Sequence, residues 1–378
     1  MPVMAADVLT DRALNRATLA RQFLLHRSAT PALAAVEHLV GLQAQVPRNP
    51  YLALWSRIER FDPRELERLL LERAVVRIVV MRGTIHLVTA DDALQLRPLV
   101  QPILDQELAR HPQFGPALRD VDLAPVLRVA RRILAERPHT GPELRAAMAE
   151  RFPHDDPAAL AYACRNHLAL VQVPPRGLWT RSAQVTATTA EAWLGRQLVR
   201  RPAIDEVVLR YLAAFGPASV ADVSAWCRLA GMREVVDRLR PRLRAFRTEG
   251  GRELIDLPDA PRPGPGPAPP PRFLPEYDNV LLSHADRSRF VADPARAALW
   301  SGPRPAHGSV LVDGTVLGPW RLLRDADAGA ATLEVDHLGT IAAGRAASLA
   351  AEAKRLLRLL APDAPERAVR LRAVEPSP

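Results

Sequence analysis

Apolar residues in the first sixty positions recur every three or four places, with Leu14, Ala17 and Leu24 following Thr10, whose side chain predicts a helix cap. Thr30 and Pro31 mark a second start, with Leu33, Val36 and Val40 at helical spacing. A third helix is predicted near Pro50, its apolar side made by Tyr51, Leu54, Trp55 and Ile58. At 75–89, "VVRIVVMRGTIHLVT", β-branched residues gather around Gly83, the pattern of a hairpin. Three helices and a hairpin predict a winged helix over 8–100.

The order recurs. A helix from Asp122, another after "HTGPELRAAM", a third from Pro157 through His167 and the segment "LALVQVPPRGLWTRS", with its turn at Pro174–Gly177, predict a second winged helix over 120–195. A helix ending at "AFGP", then "SVADVSAWC", a helix from Gly231 to Leu239, and "LRAFRTEGGRELIDL", turning at Glu249–Gly251, predict a third over 203–258. The units share little sequence, so the repeat rests on pattern. Residues 259–272, rich in Pro and Gly, predict a linker or long loop, since proline removes amide donors and glycine adds freedom. "NVLLSH", "SVLVDGTVLGPWRLL" and "ATLEVDHLGT" predict a β-rich C-terminal module over 273–372, with a hairpin at "VDGTVLG" and a terminal helix at about 343–360. The predicted fold class is α+β: three tandem winged-helix units plus that β-rich module.

Composition narrows the function. In 378 residues, 48% are hydrophobic and 25% charged, and no apolar run reaches bilayer length, so a multidomain globular protein is expected, cytoplasmic and without a membrane partner. The start lacks the pattern of a signal peptide. Cys164 and Cys227 lie in helical patterns and the ten histidines are scattered, so neither a disulfide framework nor a metal site is expected. The net charge of +9 is carried almost wholly by arginine, Lys354 being the single lysine. Arginine grips phosphate bidentately, and the surplus suits a nucleic-acid partner; a GC-rich genome explains the choice of cation but not its excess.

"GLQAQVPRNP" at 41–50 places Gln43 and Gln45 where a helix gives way to prolines. In an extended segment both amides share a face, with Arg48, Asn49 and Tyr51 following to meet phosphates and bases; the alternative is that they cap the carbonyls of a helix end. Arg82, Thr84 and His86 alternate, so on a strand they point one way; Arg82 and His86 are read as DNA contacts, or as a solvated strand face. Arg176, Trp179 and Arg181 are candidate contacts from the second wing. Trp55, Trp193, Trp226 and Phe215 sit at helical apolar positions and are expected in the core. Asp278, Ser283, His284 and Asp286 are close in sequence but lack a nucleophile-elbow motif, and no triad is expected.

Four stretches, "LTDRALNRATLARQFLL", "AVEHLVGLQAQVPRNPYLALWSRI", "VRIVVMRGTIHLVTADDALQLRPL" and "FLPEYDNVLLSHADRSR", resemble the winged-helix alkylpurine DNA glycosylases of the AlkZ/YcaQ family. The likeness runs over most of the chain. The Gln-x-Gln element resembles the AlkZ-like branch; the YcaQ-like branch carries Asp where Gln45 stands. The resemblance implies three winged helices around a DNA-sized concave surface, and release of N7-alkylated purines, bulky adducts and interstrand crosslinks made by DNA-alkylating antibiotics included. It implies Gln43 and Gln45 as catalytic. Two amides suffice if the substrate is cationic, because a charged purine departs without a general acid and only a water must be positioned. Lys354 lies far along the chain and Pro2 in a frayed tail, so no lyase step is expected. The expected enzyme is monofunctional, cofactor-free and metal-free, a monomer without an obligate protein partner, acting on double-stranded DNA that carries alkylated purines. Two other classes compete: a non-catalytic winged-helix transcription regulator, which prefers a defined operator, and a scaffold or drug-sequestering protein.

Overall fold

The computed structural model describes residues 7–375 apart from 182, 265, 292–306, 326 and 328; the Pro2 amine lies outside the described residues. The fold is mixed α+β. Strand β1 (Asp7–Leu9) leads into α1 (Asp11–Arg21), capped by Thr10 as its sequence predicts, although Leu24 falls beyond the helix in a neighbouring core.

One order of elements then recurs three times: helix, short strand, helix, helix and two antiparallel strands. It runs first through α2 (Ala32–His38), β2 (Leu42–Gln43), α3 (Asn49–Arg57), α4 (Pro63–Leu71), β3 (Val75–Val79) and β4 (Ile85–Thr89). Here the sequence misleads twice. Pro31, not Thr30, occupies the N-cap of α2 and no side chain caps it. The third helix before the hairpin is α4, started by Asp62 and Pro63, so α1 stands outside the repeat.

Helices α5 (Ala90–Leu99), α6 (Gln101–Arg110) and α7 (Phe114–Ala117) lead to the second round: α8 (Leu123–Glu136), β5 (His139–Thr140), α9 (Gly141–Arg151), α10 (Pro157–His167), β6 (Leu170–Gln172) and β7 (Thr186–Thr189). A capping box between Thr140 and Glu143 opens α9, and Asp156 before Pro157 opens α10. The strand partner of β6 is β7, not the expected segment after Gly177. The described residues of 178–185, which exclude 182, form no strand: Leu178 and Trp179 turn inward onto the core around Leu52 and Trp55 instead.

After α11 (Ala190–Leu194), the third round is α12 (Ile204–Phe215), α13 (Val220–Cys227), α14 (Met232–Leu239), β8 (Arg244–Thr248) and β9 (Glu253–Asp256), a single bridge from Ala218 to Ile255 replacing the short strand. Strand β1 adds to β8 in parallel.

The first two strand pairs merge into one six-stranded sheet, ordered β2-β4-β3-β6-β7-β5, through the pairs Arg77–Gln172 and Ile78–Val171. The described residues of 257–271, which exclude 265, run without helix or strand. A five-stranded sheet follows, from β10 (Arg272–Pro275), β11 (Gly308–Val312), β12 (Thr315–Asp325), β13 (Ala330–His337) and β14 (Glu366–Ala373). The hairpin predicted at "VDGTVLG" forms, its turn made by Asp313 and Gly314 at φ 53° and 84°. "NVLLSH" is no strand; a 3-10 turn at Asn279–Leu281 begins it. Helix α15 (Ala343–Leu360) matches its predicted span but is not terminal, because β14 returns beside β13 in parallel.

Helix α1 joins these parts. Arg21 makes a buried bidentate pair with Asp256 on β9, and Asn15 donates to the carbonyls of Arg289 and Gly314. Nearby, Arg57 on α3 grips Asp278 through two bonds of 2.8 and 2.7 Å. The first round of elements, the third and the five-stranded sheet are thereby braced around Gln43.

Candidate active site

Gln43 is the second residue of β2, opposite His86 on β4, while Leu42 pairs with Leu87. Burial alternates as an extended segment requires: Leu42 and Ala44 are buried, Gln43 is half-buried and Gln45 exposed. The ladder continues through the bond from the Ala44 amide to the Ile85 carbonyl at 2.8 Å, and the chain bends at Gln45. Gly41 permits the turn into β2. At φ 90° it lies in the left-handed region, and an added Cβ would stand 2.6 Å from Val88.

The hairpin tip supplies Arg82, though not by the strand alternation its spacing suggests. Met81–Gly83 is a 3-10 turn with Arg82 at φ 61°, which folds its side chain back over β4. One guanidinium nitrogen, Nη2, donates to Gln43 Oε1 at 2.7 Å, Asn279 Oδ1 at 3.2 Å and His86 Nε2 at 3.3 Å. The other, Nη1, donates to the Trp226 carbonyl at 3.2 Å. None of these acceptors is a carboxylate, and the cations Arg228 and Arg287 lie close by; burial first, then Arg287 and Arg228, pull Arg82 down to about 10.

His86 is fully buried and held near 3 by that burial and by the charge of Arg82, so it is neutral. Its Nδ1 lies 3.0 Å from the Thr84 carbonyl, which can only accept. The proton therefore sits on Nδ1 and the Nε2 lone pair faces Arg82.

The other residues read from sequence divide into two groups. Arg48 is exposed, with its guanidinium 5.1 Å from the Trp179 ring, and Arg181 is exposed beyond it. Trp179 is half-buried, 5.2 Å from the Tyr51 ring. Arg176, half-buried, donates to the Ala183 carbonyl. In contrast, Asn49, Tyr51 and His86, also read as DNA contacts, are interior and hydrogen-bonded to protein. Asn49 donates to the Glu276 carbonyl at 2.6 Å, and Tyr51 to the Gly177 carbonyl at 2.8 Å. They hold in place the segments that carry Arg48 and Trp179.

Sequence reasoning missed Asn279, Arg228 and Arg287. Asn279 belongs to the quoted stretch "FLPEYDNV", yet only the fold brings it to Gln43. Of the expected core aromatics, Trp55, Trp226 and Phe215 are buried, whereas Trp193 is only half-buried, with the Arg73 guanidinium 4.1 Å from its ring. The carboxylates, serine and histidine of "YDNVLLSHADRSR" have separate partners: Asp278 holds Arg57, Ser283 the Asn279 carbonyl, His284 the Phe215 carbonyl and Asp286 Arg252. Cys164 and Cys227 are buried free thiols, the first pushed up to about 12 by burial. A cavity of about 410 Å³ between the six-stranded sheet and α8–α10 is lined by Ile85 and Gln172; since Ile85 is next to His86 on β4, it opens on the sheet face opposite Gln43. Among the described residues no cluster of His, Cys, Asp and Glu suits a metal, and no helix is long and apolar enough to cross a membrane.

Comparison with known proteins places this geometry. A curated Streptomyces sahachiroi protein, the "interstrand DNA cross-link repair glycosylase", is 25% identical over 340 residues, covering 80% of this chain and 85% of that one. The solved structure of the Streptomyces sahachiroi DNA glycosylase AlkZ shares the fold at a TM-score of 0.72 and 22% identity, over 97% of this chain and 100% of that one. These matches give the regulator reading no support. The model of the family described as "DNA glycosylase AlkZ-like" matches residues 36–359, so the chain belongs to the AlkZ-like DNA glycosylase family.

Proposed function

We propose that this protein is a monofunctional DNA glycosylase that hydrolyses the N-glycosidic bond of cationic N7-alkylated purines in duplex DNA. One observation carries the reading. Gln43 sits at an open edge among an arginine, a neutral histidine and an amide, with no carboxylate bonded into the cluster. Such a site has no general acid to protonate a leaving base and no strong general base. It suits a base whose alkylation already supplies the positive charge. As the C1′–N9 bond breaks, its electron pair neutralises the purine; water oxygen bonds to C1′ and its proton passes to solvent. Gln43 and Gln45 are the residues assigned to hold that water.

The three rounds of helix, short strand, helix, helix and paired strands are read as tandem winged-helix units within 8–100, 120–195 and 203–258, with the module at 273–372 closing a concave surface for the duplex. Arg48, Trp179, Arg181, Arg176 and Arg82 are the proposed DNA contacts. The similarity to the Streptomyces sahachiroi interstrand DNA cross-link repair glycosylase supports including crosslinks among the substrates, and bulky adducts are proposed with them. The active form is proposed to be a monomer needing no cofactor.

The test is a labelled duplex with one 7-methylguanine. The enzyme is expected to leave strands intact until alkali opens the abasic site, and to spare uracil and normal adenine in matched duplexes. Scission before alkali would overturn the monofunctional assignment, and excision of a neutral base would overturn the charge argument.

A further inference from the structure

We propose that Arg82 is a positioning residue that fixes the Gln43 amide with its carbonyl inward and its NH2 toward the open side, so that Gln43 donates and Gln45 accepts. This rests on the glycosylase reading. A carboxamide can flip with almost no change of shape, and only its partners decide which end is which. A guanidinium has donors alone, so the Gln43 atom 2.7 Å from Arg82 Nη2 is its oxygen.

Arg82 is in turn fixed by groups that can play one role each. The Trp226 carbonyl accepts from Nη1. Asn279 is buried and donates through Nδ2 to the Gly41 carbonyl at 3.0 Å, which turns its Oδ1 to Arg82. His86 spends its proton on the Thr84 carbonyl and offers Arg82 a lone pair. The chain of orientations begins at Gly41, two residues before Gln43, and ends on Gln43 itself. Gln45 lies exposed at the bend, where its carbonyl is open to solvent.

A water attacking C1′ directs one lone pair to carbon, accepts from the Gln43 NH2 with the other, and gives a hydrogen bond to Gln45 Oε1. As the C1′–O bond forms and C1′–N9 breaks, the released proton passes by the Gln45 carbonyl to bulk water, and the purine leaves neutral. Two interchangeable glutamines predict equal responses to glutamate, which keeps an acceptor and removes the donor; this arrangement predicts unequal ones, whereas alanine removes both functions at either position.

The experiment measures single-turnover release of 7-methylguanine at saturating enzyme, alongside DNA affinity by anisotropy and a thermal melt of each variant. Gln43→Glu keeps an acceptor for Arg82 but loses the outward donor, and is expected to slow release roughly a hundredfold. Gln45→Glu keeps the acceptor and is expected to slow release by about tenfold, a clearly smaller loss than that of Gln43→Glu. Asn279→Ala, buried away from DNA, is expected to slow release about tenfold with affinity held within about twofold, through misplacement of Arg82 alone. Equal loss in both glutamate variants, loss confined to Gln45→Glu, or an unchanged rate in Asn279→Ala overturns the proposal. The glutamate pair decides it even if Asn279→Ala fails to fold. A wild-type protein that releases no 7-methylguanine defeats the glycosylase reading beneath it instead.

Discussion

Buried titratable groups give the residue scale its clearest consequence. His86 is neutral inside the protein and held near 3, whereas an unfolded chain titrates it near 6.5. Its folded value is depressed, so its stability contribution is complete above about pH 6.5 and is lost as pH falls toward 3. Between pH 6.5 and pH 4 the loss is on the order of 3 kcal/mol from this group. His284, fully buried and lowered first by desolvation and then by Arg289, acts in the same direction. Urea midpoints measured across that window are expected to fall steeply for the wild type and less steeply for His86→Gln; identical slopes would mean that His86 is not the neutral acceptor described. The sequence singled out Gln43 with Gln45, and Arg82 with His86, as two separate stretches; the fold brings Gln43, Arg82 and His86 together. Asn49, Tyr51 and His86, read as DNA contacts, have protein partners in the fold, because polarity at a loop or strand marks a hydrogen-bonding need without saying whether protein or DNA meets it.

At the scale of elements, the turn at Gly41 sets where Gln43 stands. Alanine there must adopt a left-handed backbone and press its Cβ against Val88, at a cost of about 2 kcal/mol or more. Gly41→Ala is therefore expected to lower the melting temperature and to slow base release together; a variant with wild-type stability and rate would show that the turn relaxes freely. Helices with a side-chain cap and a proline at the first turn, such as α10, are legible from sequence because local chemistry fixes their ends. The second strand pair was not. Its strand β6 pairs with β7 across thirteen intervening positions, and the apolar Leu178 and Trp179, read as strand residues, go to a core built mainly by distant segments. Likewise "NVLLSH" has the β-formers of a strand, yet Asp278 caps a 3-10 turn there while pairing with Arg57. Tertiary partners overrode propensity in each case.

For the whole molecule, rigid connection around Gln43 depends on buried ion pairs such as Arg57 with Asp278. Asp278→Ala leaves a buried guanidinium uncompensated and is expected to cost about 3–5 kcal/mol in urea unfolding, with Arg57→Met plus Asp278→Leu restoring part of it. No restoration would argue that the pair does more than compensate charge. The net +9 makes a separate prediction about DNA. Binding should weaken linearly in log salt, and Arg48→Ala or Arg181→Ala should each reduce that slope by about 1; unchanged slopes would take those residues off the interface.

The central claim is that two carboxamides are enough to cut a bond already weakened by the lesion's charge. The direct measurement is mass-spectrometric quantification of free 7-methylguanine from alkylated duplex DNA by wild type, Gln43→Ala, Gln45→Ala and the double variant, each shown to be folded. The account predicts that each single variant releases base roughly a hundredfold more slowly than wild type and that the double variant is close to the uncatalysed rate. Undiminished release by the folded double variant would contradict it.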